Sequence, residues 1–77
     1  MIDIVLLYNG AGIEEATITR WLKTVGNQVT EGEVIVEVET VKATIEIEAP
    51  ANGTLAAIIA PDGATVEVNS VIGTIAS

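Results

Sequence analysis

The stretch Val34-Ile35-Val36-Glu37-Val38-Glu39-Thr40-Val41-Lys42-Ala43-Thr44-Ile45-Glu46-Ile47-Glu48-Ala49-Pro50 alternates apolar and polar residues on both sides of Lys42. Alternation with period two is the pattern of a half-buried strand. With Val41-Lys42 as a two-residue hairpin loop, Val38 faces Ile45 and Val36 faces Ile47 on one side. Glu37 then faces Glu46 on the other side, and Glu39 lies opposite Thr44. Both strands turn their apolar faces the same way, and a slip of one residue would bury glutamates. The reading places Lys42 at the tip with its ammonium in water. No Asn-Gly or Asp-Gly marks the turn, and β-branched Val41 is a poor turn residue. The flanking strands are therefore expected to impose it.

Outward from this hairpin, the chain reads as short strands between turns. Ile2 to Leu7 is a first strand, followed by an Asn9–Gly12 loop with two glycines. A strand is expected from Thr17 to Thr24, then a turn at Gly26-Asn27, a very short strand at Val29 and a turn at Glu31-Gly32. After Pro50-Ala51-Asn52-Gly53, strands are expected over Thr54–Ala60, Val66–Val68 and Val71–Ile75, with Pro61-Asp62-Gly63 a strong turn signal. No segment shows convincing helical periodicity, so the fold class is all-β, with strand spacing that suits a sandwich or barrel.

The second half of the chain repeats the first without a gap. When Thr17 is laid on Thr54, Gly26 meets Gly63, Val29 meets Val66, and Val34-Ile35 meets Val71-Ile72. Two copies imply a pseudo-twofold domain rather than a solenoid. Thr40 falls on Ser77, so the chain ends are expected at the end of the domain opposite Lys42.

Composition narrows the chemistry. The 77 residues make one domain, spanning 1–77, with no cysteine and no histidine. That removes disulfides, thiolate metal sites and the commonest general base. No Ser or Thr has a candidate base beside it, and no phosphate-binding loop is present. Glu37 and Glu46 are paired carboxylates, but on an exposed face, where a solvated surface is the simpler role. Eleven acids against Arg20, Lys23 and Lys42 give a net charge of −8, which argues against nucleic acid or an anionic membrane as partner. No apolar run approaches the roughly 18 residues of a membrane span. Neither a charged segment nor a cleavage site marks Met1-Ile2-Asp3-Ile4 as a signal peptide.

Glu39-Thr40-Val41-Lys42-Ala43, followed by Glu46-Ile47-Glu48-Ala49-Pro50 and Gly53, resembles the lipoyl domains of 2-oxo acid dehydrogenase complexes, within the biotinyl/lipoyl-attachment family. Gly12 to Ile18, Trp21-Leu22, Val25-Gly26-Asn27-Gln28-Val29 and Glu31-Gly32 extend the resemblance over essentially the whole chain. It implies a flattened barrel or sandwich of two four-stranded antiparallel sheets. It further implies a lipoic acid in amide linkage on Lys42, with Glu39, Thr40, Val41 and Ala43 as recognition residues around it. The Asn9–Gly12 loop would contact partner enzymes. In such complexes the arm receives an acyl group, passes it to coenzyme A and is reoxidised by a flavoenzyme. The implied partners are a lipoate ligase or lipoyl transferase, a thiamine-dependent dehydrogenase, the acyltransferase catalytic domain and dihydrolipoamide dehydrogenase. The domain itself would be a non-catalytic, monomeric carrier within an acyltransferase subunit, in the bacterial cytoplasm or mitochondrial matrix.

Several positions depart from the family pattern. Val41 and Asn27 stand where aspartate is usual, and Ala11 where glutamate is common. Two other readings remain at this point. One is a biotinyl carrier, although the methionines that usually flank its lysine are replaced by Val41 and Ala43. The other is an unmodified interaction domain.

Overall fold

Among the described residues, alternating aliphatic residues and frequent turns produce eight strands: β1 (Ile2–Val5), β2 (Glu15–Trp21), β3 (Gln28–Val29), β4 (Val34–Glu39), β5 (Thr44–Glu48), β6 (Gly53–Ile58), β7 (Thr65–Glu67) and β8 (Val71–Ala76). They come from a computed structural model that describes residues 1–8 and 12–77. One antiparallel sheet has the order β1-β8-β6-β3 and the other β5-β4-β2-β7. The two sheets pack as a flattened sandwich and do not close into a barrel. Between them lie the inward residues of each strand, among them Ile4, Ile18, Ile35, Val38, Leu55, Ile72 and Ile75, all with no solvent exposure. Each such aliphatic side chain contributes about 1.5–3 kcal/mol of transfer free energy, and with so few aromatics these contributions hold the domain together.

The internal repeat is a symmetry of the fold. Exchanging β1 with β5, β2 with β6, β3 with β7 and β4 with β8 turns one sheet order into the other. Backbone bonds follow the same exchange: Gly26 N–H donates to Leu55 C=O at 2.8 Å, and Gly63 N–H to Ile18 C=O at 2.7 Å. Both glycines have positive φ, 98° and 87°, which a side chain would strain. Even the β-bulges correspond, one at Ile35 in β4 and its mate at Ile72 in β8.

The repeat also orients the chain. β2 starts beside the hairpin, with Thr17 opposite Glu39, and runs away from it. The Gly26 turn beyond its end bonds Leu55, which is opposite Ile75 in β8. Ala76 and Ser77 therefore lie at the far end of a domain 34 Å long. This is the placement expected from the repeat.

Strand limits differ from expectation: β6 is Gly53–Ile58 rather than Thr54–Ala60, β7 and β8 shift by a residue at their ends, and β2 and β1 differ too. β2 spans Glu15–Trp21 rather than Thr17–Thr24, because β7 pairs with Glu15 and Ala16 at its start. At its end Leu22 N–H makes one more bond, to Ile35, before the Thr24–Asn27 turn begins. β1 stops at Val5 because its partner turns away at Asn69, which has φ 67°, although Leu6 still bonds Ser70 and Asn69.

One ion pair joins two turns. Lys23 Nζ lies 2.9 Å from Glu33 Oε2, and Glu33 Oε1 accepts the Thr30 N–H at 3.0 Å. The Lys23 hydrogen bond, then the Thr30 bond, hold the Glu33 carboxyl below its usual range. A depressed carboxyl contributes stability above its unfolded pKa and loses it as pH falls through the folded value. Glu33→Gln is therefore expected to lower the urea midpoint at pH 7. The difference from wild type should close as both are taken well below pH 4.5, the ordinary value. A gap that persists undiminished in acid would assign the effect to packing instead of charge.

Candidate functional site

The β4–β5 hairpin has the register read from the sequence: Val36 pairs with Ile47, Glu37 with Glu46, Val38 with Ile45 and Glu39 with Thr44. Val36, Val38 and Ile47 are buried and Ile45 is half-buried, so the inner face is anchored in the core. On the outer face Glu37 has a second neighbour that sequence reasoning did not place. Arg20 lies across from it in β2, with Nε 3.4 Å from Glu37 Oε1. This exposed pair offsets part of the repulsion between Glu37 and Glu46.

The turn itself corrects the expectation that only the strands impose it. Thr40 is buried and its hydroxyl organises the loop. Oγ1 accepts the Lys42 N–H at 3.2 Å and the Ala43 N–H at 3.0 Å, and donates to the Ala43 C=O at 3.0 Å. That uses the one donor and two acceptor positions of a hydroxyl. Thr40 N–H donates to the same Ala43 carbonyl at 2.8 Å. Threonine thus supplies the local turn chemistry that Val41 lacks. The signal was in the sequence, in the hydroxyl that precedes the loop.

Of the five residues proposed for the tip, four are on the outside. Lys42, Glu39 and Ala43 are exposed, and Val41 is 92% exposed, the most open of the large hydrophobic residues among those described. Thr40 is the exception, since its side chain faces into the loop. Beside Val41 runs a shallow cleft formed by Ile13 and Val68 and bordered by Glu14, Glu15 and Glu67. The tip is therefore an apolar point and a lysine on acidic ground. Of the Asn9–Gly12 loop, residues 9–11 lie outside the described residues, and Gly12 takes part in this cleft. Among the described residues, no three acidic side chains converge to hold a metal ion.

The chain's other lysine is placed differently. Lys23 has a side-chain exposure of only 26% and is held by Glu33.

Residues 8–75 match the sequence profile of the biotin–lipoyl family, described as "Biotin-requiring enzyme". A solved structure, the lipoyl domain of the 2-oxoglutarate dehydrogenase complex of Azotobacter vinelandii, superposes with a TM-score of 0.80 at 32% identity, covering all of this chain and 98% of the other. The chain belongs to the lipoyl domains. Among curated relatives, the dihydrolipoyllysine-residue succinyltransferase component of the 2-oxoglutarate dehydrogenase complex of Rickettsia typhi is 42% identical over 96% of this chain. The dihydrolipoyllysine-residue acetyltransferase component of the pyruvate dehydrogenase complex of Rickettsia bellii is 54% identical over 75% of it. The lipoyl domain spans 19% and 14% of the lengths of these two relatives.

Proposed function

We propose that this lipoyl domain carries a lipoyl group in amide linkage on Lys42 and presents it in turn to the active sites of a 2-oxo acid dehydrogenase complex. The observation that carries this reading is the Thr40-bonded turn. It holds an exposed lysine on a β-hairpin tip, at the end of the domain remote from Ser77. A ligase needs an amine at one defined place, and a turn closed by four hydrogen bonds offers one. The lipoyl group supplies disulfide–dithiol chemistry, while this chain's residues supply position. Loss of the Lys42 charge in the amide leaves the tip more acidic, with Val41 as its apolar contact. Tethering raises the effective concentration of the arm at each site.

On this reading the domain does no chemistry of its own and forms part of an acyltransferase subunit. Its partners are a lipoate ligase or lipoyl transferase, a thiamine-dependent dehydrogenase, the acyltransferase catalytic domain and dihydrolipoamide dehydrogenase. The compartment is the bacterial cytoplasm or the mitochondrial matrix.

In vitro lipoylation followed by peptide mapping tests the assignment. The expected result is a single lipoyl increment, recovered on the Lys42 peptide and absent from Lys42→Arg. Recovery on Lys23, or labelling of Lys42→Arg, would overturn it. A biotin increment from a native source would move the domain to the biotinyl carriers.

A further inference from the structure

Each sheet leaves one edge strand beside the other sheet where the sandwich fails to close. These are β1 and β5, which belong to different sheets and are not paired. Between them runs a trough walled by Val5 and Leu7 on one side and Ile45 and Ile47 on the other. Leu7 is 69% exposed, too open for a side chain whose only task is the core. Asp3, Glu46 and Glu48 border the trough, and none of the three cations Arg20, Lys23 and Lys42 lines it.

Hydrogen-bond geometry gives the edges a direction. In an antiparallel strand, alternate residues turn both N–H and C=O toward the same neighbour. Ala49 bonds Glu33 and Gly32, and Ala43 C=O accepts from Thr40, so Ala43, Ile45, Ile47 and Ala49 face β4. The bulge in this pair lies on β4, so β5 stays regular, and Glu46 and Glu48 turn their backbone groups outward. In β1, Leu6 bonds Ser70 and Asn69 toward β8, which leaves Asp3 and Val5 facing the gap. The trough is thus apolar in its walls, acidic at its rim and bounded by outward-facing backbone.

From this arrangement we infer that the β1–β5 trough takes an extended basic segment of a partner protein, added as a strand on β5. Apolar side chains at alternate positions of that strand lie beside Ile45 and Ile47 and pack against Val5 and Leu7. The intervening positions fall on the outer face, beside Glu46 and Glu48, where lysine or arginine makes favourable cross-strand pairs. Charged edge residues commonly serve to block edge pairing. Here they select. A second copy, itself at −8, would bring Glu46 and Glu48 against like charge, whereas a cationic strand meets opposite charge. The site is separate from the lysine tip and does not depend on lipoylation.

The test is an NMR titration of the unmodified chain with a capped octapeptide alternating lysine and valine. The expected result is saturable amide shifts at Asp3, Val5, Glu46 and Glu48, with slowed exchange of the Glu46 and Glu48 amides. Glu46→Lys with Glu48→Lys should weaken binding by about 10-fold, and added salt should weaken binding to the wild type. The same peptide N-methylated at every residue, which has no N–H to pair along either edge, should not bind. Four results would overturn the inference: no saturable shift, shifts centred on Glu39 and Glu67 at the tip, equal binding of the methylated peptide, or the same shifts on raising protein concentration alone. The last would make a second copy the occupant.

Discussion

Exchanging the two loop residues, Val41→Lys with Lys42→Val, is expected to cut lipoylation by about 100-fold while leaving the fold in place. The turn is closed through the Thr40 hydroxyl and backbone. Its bonds run from Thr40 to the Lys42 and Ala43 backbone, and both loop side chains are exposed. The stability change should therefore stay within about 0.5 kcal/mol, as at other exposed positions. What changes is where the amine stands. Successive residues of a tight two-residue loop point in different directions, so the exchanged ammonium leaves the place that the bonded turn defines. Misplacement of a reacting group by about 1 Å can cost on the order of 10²-fold. Initial rates with one lipoate ligase, for wild type and exchanged protein, give the measurement, and thermal melts of both check the fold. Equal rates would show that the ligase reads local sequence without regard to position.

The hairpin that carries this prediction was legible because period-two alternation leaves a strand little freedom. Placing Val36 opposite Ile47 puts every glutamate of the stretch on one face, and a slip of one residue would bury glutamates. The pseudo-twofold was legible for a similar reason, since Gly26 and Gly63 hold equivalent positive-φ turns that few other residues accept. Contacts between distant strands were not. The sequence contains Arg20 and Glu37, but only the β2–β4 register, with its bulge between Ile18 and Arg20, brings them opposite each other. The start of β2 at Glu15 depends on β7, a strand of three residues with little pattern of its own. The Thr40 turn was missed differently. Asn-Gly and Asp-Gly mark a hairpin turn by tolerating φ > 0, whereas this loop is closed by a side-chain hydroxyl acting on backbone two and three residues ahead. The β1–β5 trough has no linear signature, because its walls come from separate sheets.

Replacing Gly73 with alanine should be among the most destabilising small changes in the described core, about 1–3 kcal/mol. The position is glycine for reasons of space. Its φ is not in the positive range that would call for glycine, so backbone conformation is not the cause. A Cβ there would stand 2.8 Å from the Ala57 carbonyl oxygen and 2.9 Å from Trp21 Cη2. The repeat explains the asymmetry. The mate of Gly73 is Val36, which pairs with Trp21, whereas Gly73 itself pairs with Ile58, the mate of Trp21. The indole is far larger than isoleucine and spreads across the core onto the position where the second half has lost its side chain. It has little room to withdraw, because Trp21 Nε1 donates to the Ala60 C=O at 2.7 Å and its backbone N–H to Asp62 Oδ1 at 2.9 Å. Alanine would also restrict the unfolded chain, which stabilises by about 0.4–1 kcal/mol, so the clash must exceed that gain to be seen. At about 4–8 °C per kcal/mol in a domain of this size, the melting temperature should fall by roughly 5–20 °C. Trp21→Leu alone should also destabilise, through lost burial and the lost indole bond. The double variant should be less damaged than the sum of the two by about 1 kcal/mol, because leucine vacates the space that the new methyl needs. Strict additivity would place the obstacle at the Ala57 carbonyl instead, and an unchanged melting temperature for Gly73→Ala would mean that the core can move aside for a methyl group.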